Sequence, residues 1–330
     1  IRTLAQKGLD TTICSLARTK KDDIESAGEA LKVARKGRIH TFISTSPLHR
    51  EKKLGMDKNQ VIEHTEKAVK MARSLTDDVQ FSLEDYTRTE VDFAYQVIDA
   101  AIKAGATTIN LPDTVGYSTP AEYAELIKGV LENVENADKA VLSTHCHDDL
   151  GLAVANSLAG VQAGARQVEC SINGIGERAG NAAMEELVMV LKTRADILPF
   201  FAEIDATQFM TISQLVQELT GMPVQKNKAI VGQNAFAHES GIHQHGVSKD
   251  RRTYEIMTPE SVGQSATQLT VGVTSGRAGL KKKLDELGFA PDDATLAAFY
   301  LTFMAKASEK RLNDEEIKEL AQEQNLTPKN

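Results

Sequence analysis

AVLSTHCHD, residues 140–148, reads as a β-strand that runs from apolar residues into reactive ones. A strand alternates faces with period two, so His145 and His147 point to one side and Cys146 to the other. Two imidazoles on one face suit a divalent metal; the competing reading is a hydrogen-bonded histidine near the surface. Position at the carboxyl end of a strand, with Asp148 and Asp149 following, favours the ligand pair. Two imidazoles completed by oxygen ligands fit Zn, Mn or Mg better than a thiolate-rich set would.

Outward from this stretch the same grammar repeats. TTICSLA (11–17), RIHTFIST (38–45), VQFSLED (79–85), TTINLPDT (107–114) and QVECSING (167–174) are further strand candidates, separated by segments of helical period. In the helix expected over 58–75, Val61, Thr65, Ala68, Ala72 and Leu75 form one inward stripe. Thr119, Pro120 and Glu122 spell a helix start, with a capping residue, a first-turn proline and a capping-box glutamate. Strands alternating with helices imply an α/β fold with a parallel sheet, and polar groups at the carboxyl ends of successive strands should converge on one site. About six βα units are visible where a closed (β/α)8 barrel has eight, which leaves an open sheet or two units unaccounted for. After about residue 200 the alternation stops. Helix patterns near 292–310 and 314–323 close the chain, and the expected division is 1–224 for the barrel part and 225–330 for a lid segment and a small helical subdomain.

Composition excludes several classes. Acidic residues outnumber basic ones, 46 to 38, for a net charge of −8, and no Lys/Arg cluster is interleaved with aromatics, so nucleic acid is not an expected partner. No apolar run is long enough to span a bilayer and the first residues lack a secretory core, so no membrane partner and a cytoplasmic location are expected. Cys14, Cys146 and Cys170 are an odd set without a C-x-x-C pair and read as reduced thiols.

Three more constellations carry chemistry. NGIGERAGN, residues 173–181, has the spacing G-x-G-x-x-x-G on the last βα unit, which is wrong for a dinucleotide fingerprint; a tight glycine turn returning Glu177 and Asn181 toward the strand ends fits better, with Asn181 as an oxygen ligand. Ser82 and Glu84 share a strand face, which brings a carboxylate to the same mouth unless it is a surface group paired with Arg88. NAFAHESGIHQHG, with His238, His243 and His245, is a second metal site, a solvated loop, or a lid carrying an acid or base.

Together the segments STHCHDDLGLAVANSLAGVQAGARQVECSINGIGERAGNAAMEELVM, INLPDTVGYSTP, RIHTFISTSPLH and NAFAHESGIHQHGVSKDRRTYEIMTPESVG closely resemble the 2-isopropylmalate synthase family of metal-dependent Claisen-condensing acyltransferases. The resemblance implies a (β/α)8 TIM-type barrel followed by helical subdomains, and a homodimer in which the lid segment of one chain covers the barrel of the other. It implies His145, His147 and Asn181 as ligands of a divalent metal (Mn, Mg or Zn). It places His40, Ser82, Glu84, Asn110, Pro112 and Thr114 around a 2-oxoacid, with Glu177 and Gly180 of the glycine turn among the substrate contacts. Glu84, His243 and Tyr254 are the implied acid–base groups. The implied reaction condenses acetyl-CoA with 2-oxoisovalerate and water to 2-isopropylmalate and CoA, the entry to leucine biosynthesis, with citramalate, homocitrate and methylthioalkylmalate synthases as neighbouring possibilities. Three departures stand out. Nothing here matches the family's first-strand Arg-Asp-Gly motif, which supplies the remaining metal ligand, or its leucine-binding regulatory domain, and His245 stands where relatives usually carry Asp. An inactive truncated fragment is therefore the reading from another class.

Overall fold

The computed structural model describes residues 1–264 and 268–329. Runs rich in β-branched and aromatic residues form six strands: β1 (Ile13–Arg18), β2 (Gly37–Ser44), β3 (Asp78–Glu84), β4 (Thr108–Asp113), β5 (Val141–Cys146) and β6 (Gln167–Glu169). They lie in sequence order in one sheet, every neighbouring pair is parallel, and each crossover carries a helix. This is the wall of a TIM-type barrel with six strands in place, as the alternation predicts. Among the described residues β1 and β6 are its edges.

One face of each strand packs against the helices. Ile39, Ile43, Val79, Phe81, Leu83, Ile109, Leu111, Leu142 and Cys146 join Val61, Ala68, Val69 and Ala72 of helix Lys58–Arg73 and Phe93, Val97 and Ile98 of helix Val91–Ala104 in one core. A fully buried ring such as Phe81 contributes on the order of 2–3 kcal/mol. The predicted stripe of helix 58–75 is buried except at its end: the helix stops at Arg73 and Leu75 is 47% exposed. Helix Pro120–Asn133 starts as expected, with Pro120 in its first turn and the Thr119 backbone N–H donating to Glu122 Oε2 at 3.2 Å.

The other face is polar, and it shows how strongly the sheet curls. Arg38 of β2 donates to Gln167 of β6 at 2.5 Å, and Gln80 of β3 donates to Glu169 of β6 at 2.5 Å. In a flat sheet β3 and β6 would be separated by three inter-strand spacings, roughly 14 Å. Side chains bridge that span only because the strands wrap into a cup.

β6 is shorter than expected. The run 167–174 forms a strand only through Glu169, and further along it Asn173 adopts φ 61° in a 3-10 turn over Ile172–Gly174. His147 likewise lies just past the end of β5, in an isolated antiparallel bridge with Asn181.

The chain divides into two compact units, 1–187 and 188–330, and the limit at 224/225 drawn from sequence falls inside the second. In the second unit Phe209–Thr220, Gly241–Lys249, Arg277–Glu286, Asp293–Glu309 and Asp314–Glu323 are helices, and Leu280, Leu284, Phe289, Leu296, Phe299, Phe303, Ile317 and Leu320 form its core. The last two helices lie where the patterns near 292–310 and 314–323 put them, and each is capped by a side chain: Asp292 accepts from the Thr295 N–H and Asn313 from the Glu316 N–H. The polar stretch 234–246 contains a two-residue strand, Ala237–His238, paired with 268–269. Among the described residues no helix is long and apolar enough to cross a membrane.

Candidate active site

At the carboxyl end of β5 the rings of His145 and His147 stand edge to face, centroids 4.8 Å apart. Both are held from behind. His145 Nδ1 donates to Glu169 Oε2 at 2.7 Å, and His147 Nδ1 donates to the Thr114 carbonyl at 2.8 Å. A carbonyl oxygen can only accept, so the His147 proton sits on Nδ1 and Nε2 keeps its lone pair. Burial, and then the neighbouring His145, hold the His147 imidazolium pKa below its ordinary value, which also favours the neutral ligand form.

The glycine turn brings the third candidate to the same place. Asn181 N–H donates to the Gly174 carbonyl at 2.8 Å, Asp148 N–H to Gly180 O at 2.9 Å and Ala182 N–H to Cys146 O at 3.2 Å, so the turn is sewn onto the end of β5. Gly180 adopts φ +101°, and a β-carbon there would collide with the Gly174 carbonyl oxygen. The close passage explains the glycine. Asn181 Nδ2 donates to Ile175 O at 3.0 Å, which fixes the amide, while Oδ1 is buried without a hydrogen-bond partner. Such an orphan acceptor is costly unless something fills it. Two imidazole nitrogens and an amide oxygen are a donor set that fits a divalent cation. Among the described residues no group of three or more His, Cys, Asp and Glu side chains could hold a metal.

The expected oxoacid residues form a second, contiguous group on the concave face. His40 Nε2 and Ser82 Oγ are 2.6 Å apart, and Asn110 Nδ2 donates to Ser82 Oγ at 2.9 Å. Pro112 pairs in register with His145, and the Asn110 Oδ1 is buried without a partner. Thr114 serves through its backbone carbonyl, which also accepts from Arg178 at 2.8 Å, while its hydroxyl accepts from the Asp85 N–H at 2.9 Å. Glu177 is exposed on the turn.

Glu84 lies opposite Ser44 on the neighbouring strand and on the Ser82 side of β3. It accepts from Ser44 at 2.5 Å and from Lys53 at 2.6 Å, with His49 at 3.7 Å. Arg88, its expected surface partner, instead bonds Asp85 at 2.8 and 3.0 Å, because Asp85 turns into a left-handed conformation and lies buried beside the arginine.

In the second unit His243 and Tyr254 stack with centroids 4.2 Å apart and planes at 32°, and His238 lies 6.3 and 6.4 Å from them. His238 Nε2 is 3.3 Å from Glu255 Oε1. His243 is exposed, and Tyr254 is 44% exposed. The stretch therefore brings two of its three histidines to a tyrosine eleven residues further along the chain from His243.

Two residues with no role in the sequence reading belong to the site. Glu169 bonds His145 and is faced by Gln80 and Asn110. Arg178 grips Asp149 at 2.7 and 2.8 Å and the Thr114 carbonyl that orients His147. The available signal for Glu169 is a carboxylate within the strand run 167–174, the next strand after the one that bears His145.

The model of the HMGL-like family matches residues 1–216, and that of the homocitrate synthase post-HMGL domain-like family matches residues 230–311. The chain belongs to the HMGL-like family. This HMGL-like chain is 54% identical over 330 residues to the 2-isopropylmalate synthase of Dechloromonas aromatica, covering 99% of this chain and 64% of that one. It is 56% identical over 326 residues to that of Thiobacillus denitrificans, covering 98% and 64%. The chain thus spans about 64% of the length of these curated relatives. Solved structures with the same fold include hydroxymethylglutaryl-CoA lyase from Pseudomonas aeruginosa (TM-score 0.55, 20% identity, 64% of this chain and 71% of that one). HMG-CoA lyase from Brucella melitensis is another, with TM-score 0.52, 19% identity, and 62% and 73% coverage.

Proposed function

We propose that this chain is the catalytic part of a 2-isopropylmalate synthase, condensing acetyl-CoA with 2-oxoisovalerate and water to 2-isopropylmalate and CoA. The observation that carries the reading is the convergence of two back-tethered imidazoles and the unfilled Asn181 oxygen beside a polar, hydroxyl- and amide-lined cup. The identity to named synthases supports it and ranks it above the citramalate, homocitrate and methylthioalkylmalate alternatives.

His145 Nε2, His147 Nε2 and Asn181 Oδ1 would hold a divalent metal, for which Mn, Mg and Zn all suit the donors. When bound, it would act as a Lewis acid on the ketone and carboxylate of the oxoacid. His40, Ser82 and Asn110 orient the oxoacid's polar end, with Pro112 and Thr114 shaping the wall beside it, and Glu177 and Gly180 reach it from the turn. The thioester methyl of acetyl-CoA is a weak acid, and its deprotonation needs a positioned base. His243 with Tyr254 is the pair assigned to that proton transfer, with Glu84 as a further acid–base group; the ring contact between the first two supports their acting together. Hydrolysis of the thioester then makes the sequence irreversible. The division at 224/225 into barrel and lid-bearing part falls between the two family matches. A homodimer with the lid segment over the partner's barrel, and a cytoplasmic location, belong to the same proposal and rest on the resemblance.

The test is to supply acetyl-CoA with a panel of 2-oxoacids and follow release of free thiol. Preference for 2-oxoisovalerate supports the assignment; preference for pyruvate or 2-oxoglutarate replaces it with a neighbouring synthase.

A further inference from the structure

We propose that Glu169 is a positioning residue that locks the metal-side and oxoacid-side groups of the cup to one another, an inference that rests on the function proposed above. In-register pairing places Glu169 directly opposite His145 on the adjacent strand. One carboxylate oxygen accepts from His145 Nδ1 at 2.7 Å and faces Asn110 Nδ2 at 3.3 Å. The other accepts from Gln80 Nε2 at 2.5 Å and stands 3.7 Å from His40 Nδ1. An ionised carboxylate is acceptor-only, with about four lone-pair directions, and here four N–H-bearing groups from β2, β3, β4 and β5 surround it. It is the charged, fully accepting form that sits among them.

Through Nδ1 the carboxylate fixes the plane and tautomer of the His145 ring, leaving Nε2 aimed at the mouth. Through Asn110 and the nearby His40 the same group is tied to the residues assigned to the oxoacid. A glutamine has the same shape but must present an N–H to part of this ring of donors. Donor would then face donor, and the His145 ring would lose its anchor or its tautomer. If Glu169 merely satisfied buried polar groups, its replacement would lower stability and leave ligand affinity alone.

The experiment titrates the full chain with Mn2+ alone, comparing the parent with Glu169→Gln and His145→Ala, and reads the His145 tautomer from ring 15N shifts in the metal-free parent. The expected results are a His145 proton on Nδ1 in the parent and about a 10–100-fold loss of Mn2+ affinity in Glu169→Gln. A parent His145 protonated on Nε2 overturns the proposal. So does a Glu169→Gln protein that binds Mn2+ within about twofold of the parent while His145→Ala does not bind; the metal assignment would then stand without Glu169. Should His145→Ala bind as tightly as the parent, the metal assignment itself fails and this inference goes with it. The tautomer measurement uses the unaltered protein and is independent of how the variants fold.

Discussion

Replacing Gly180 by alanine tests whether the close passage of the turn against itself is what presents Asn181. At φ +101° an L-residue is strained by about 1–3 kcal/mol. The new methyl would also collide with the Gly174 carbonyl oxygen, the acceptor for the Asn181 N–H at 2.8 Å, and losing that bond costs about 1 kcal/mol more. The sum is roughly 2–4 kcal/mol. Gly151 provides the control in the same unit, since it has φ +72° but nothing within 4 Å of its would-be β-carbon. Gly151→Ala therefore carries only the backbone penalty, about 1–2 kcal/mol. Urea unfolding followed by circular dichroism, with each variant's midpoint converted through a shared slope, gives the difference. We expect Gly180→Ala to be the less stable by at least about 1 kcal/mol, and to bind Mn2+ more weakly because the displaced carbonyl moves Asn181. Equal costs, or an unaltered Mn2+ affinity in a destabilised Gly180→Ala, would refute the claim that this contact sets the position of Asn181.

Three further outcomes follow from the same geometry. Asn181→Leu removes an oxygen that has no protein partner, so stability should change by no more than about 1.5 kcal/mol, from the lost Nδ2 bond, while calorimetry shows Mn2+ affinity falling at least about tenfold. Tyr123 is fully buried and its hydroxyl donates to the Leu111 carbonyl at 2.6 Å; Tyr123→Phe should cost about 1 kcal/mol in urea unfolding, and a variant as stable as the parent would remove that bond from the account. Burial pushes the Cys146 thiol up to about 12 from an ordinary value of 9.0, and raises Tyr86 and Tyr123 above 10.0. The unfolded chain therefore releases these protons first, and the stability they contribute is complete below pH 9 and is lost as the pH rises toward 12. Unfolding midpoints at pH 8, 9.5 and 10.5 should fall in that order; a flat profile would count against these groups being protonated in the fold.

Sequence pattern alone determined the features that repeat over a few residues. Period-two alternation located all six strands to within a few residues at their starts, and placed His145 and His147 on one face. Capping residues located the start of helix Pro120–Asn133, and helical period located the last two helices, Asp293–Glu309 and Asp314–Glu323. These are local consequences of backbone geometry, legible wherever they occur. Strand ends were less legible: β6 stops at Glu169, and further along the same run Asn173 takes a left-handed conformation that no periodicity announces.

Tertiary structure decided which polar groups meet. Glu84 shares a face with Ser82 and pairs with Lys53, 31 residues back along the chain, whereas Arg88 pairs with Asp85, which takes a left-handed conformation. Gln80 and Glu169 are 89 residues apart, and Arg38 and Gln167 are 129 apart; they touch only because the sheet curls. A strand pattern states which face a side chain takes but carries no curvature, so the partner reached across the cup cannot be read from either strand alone.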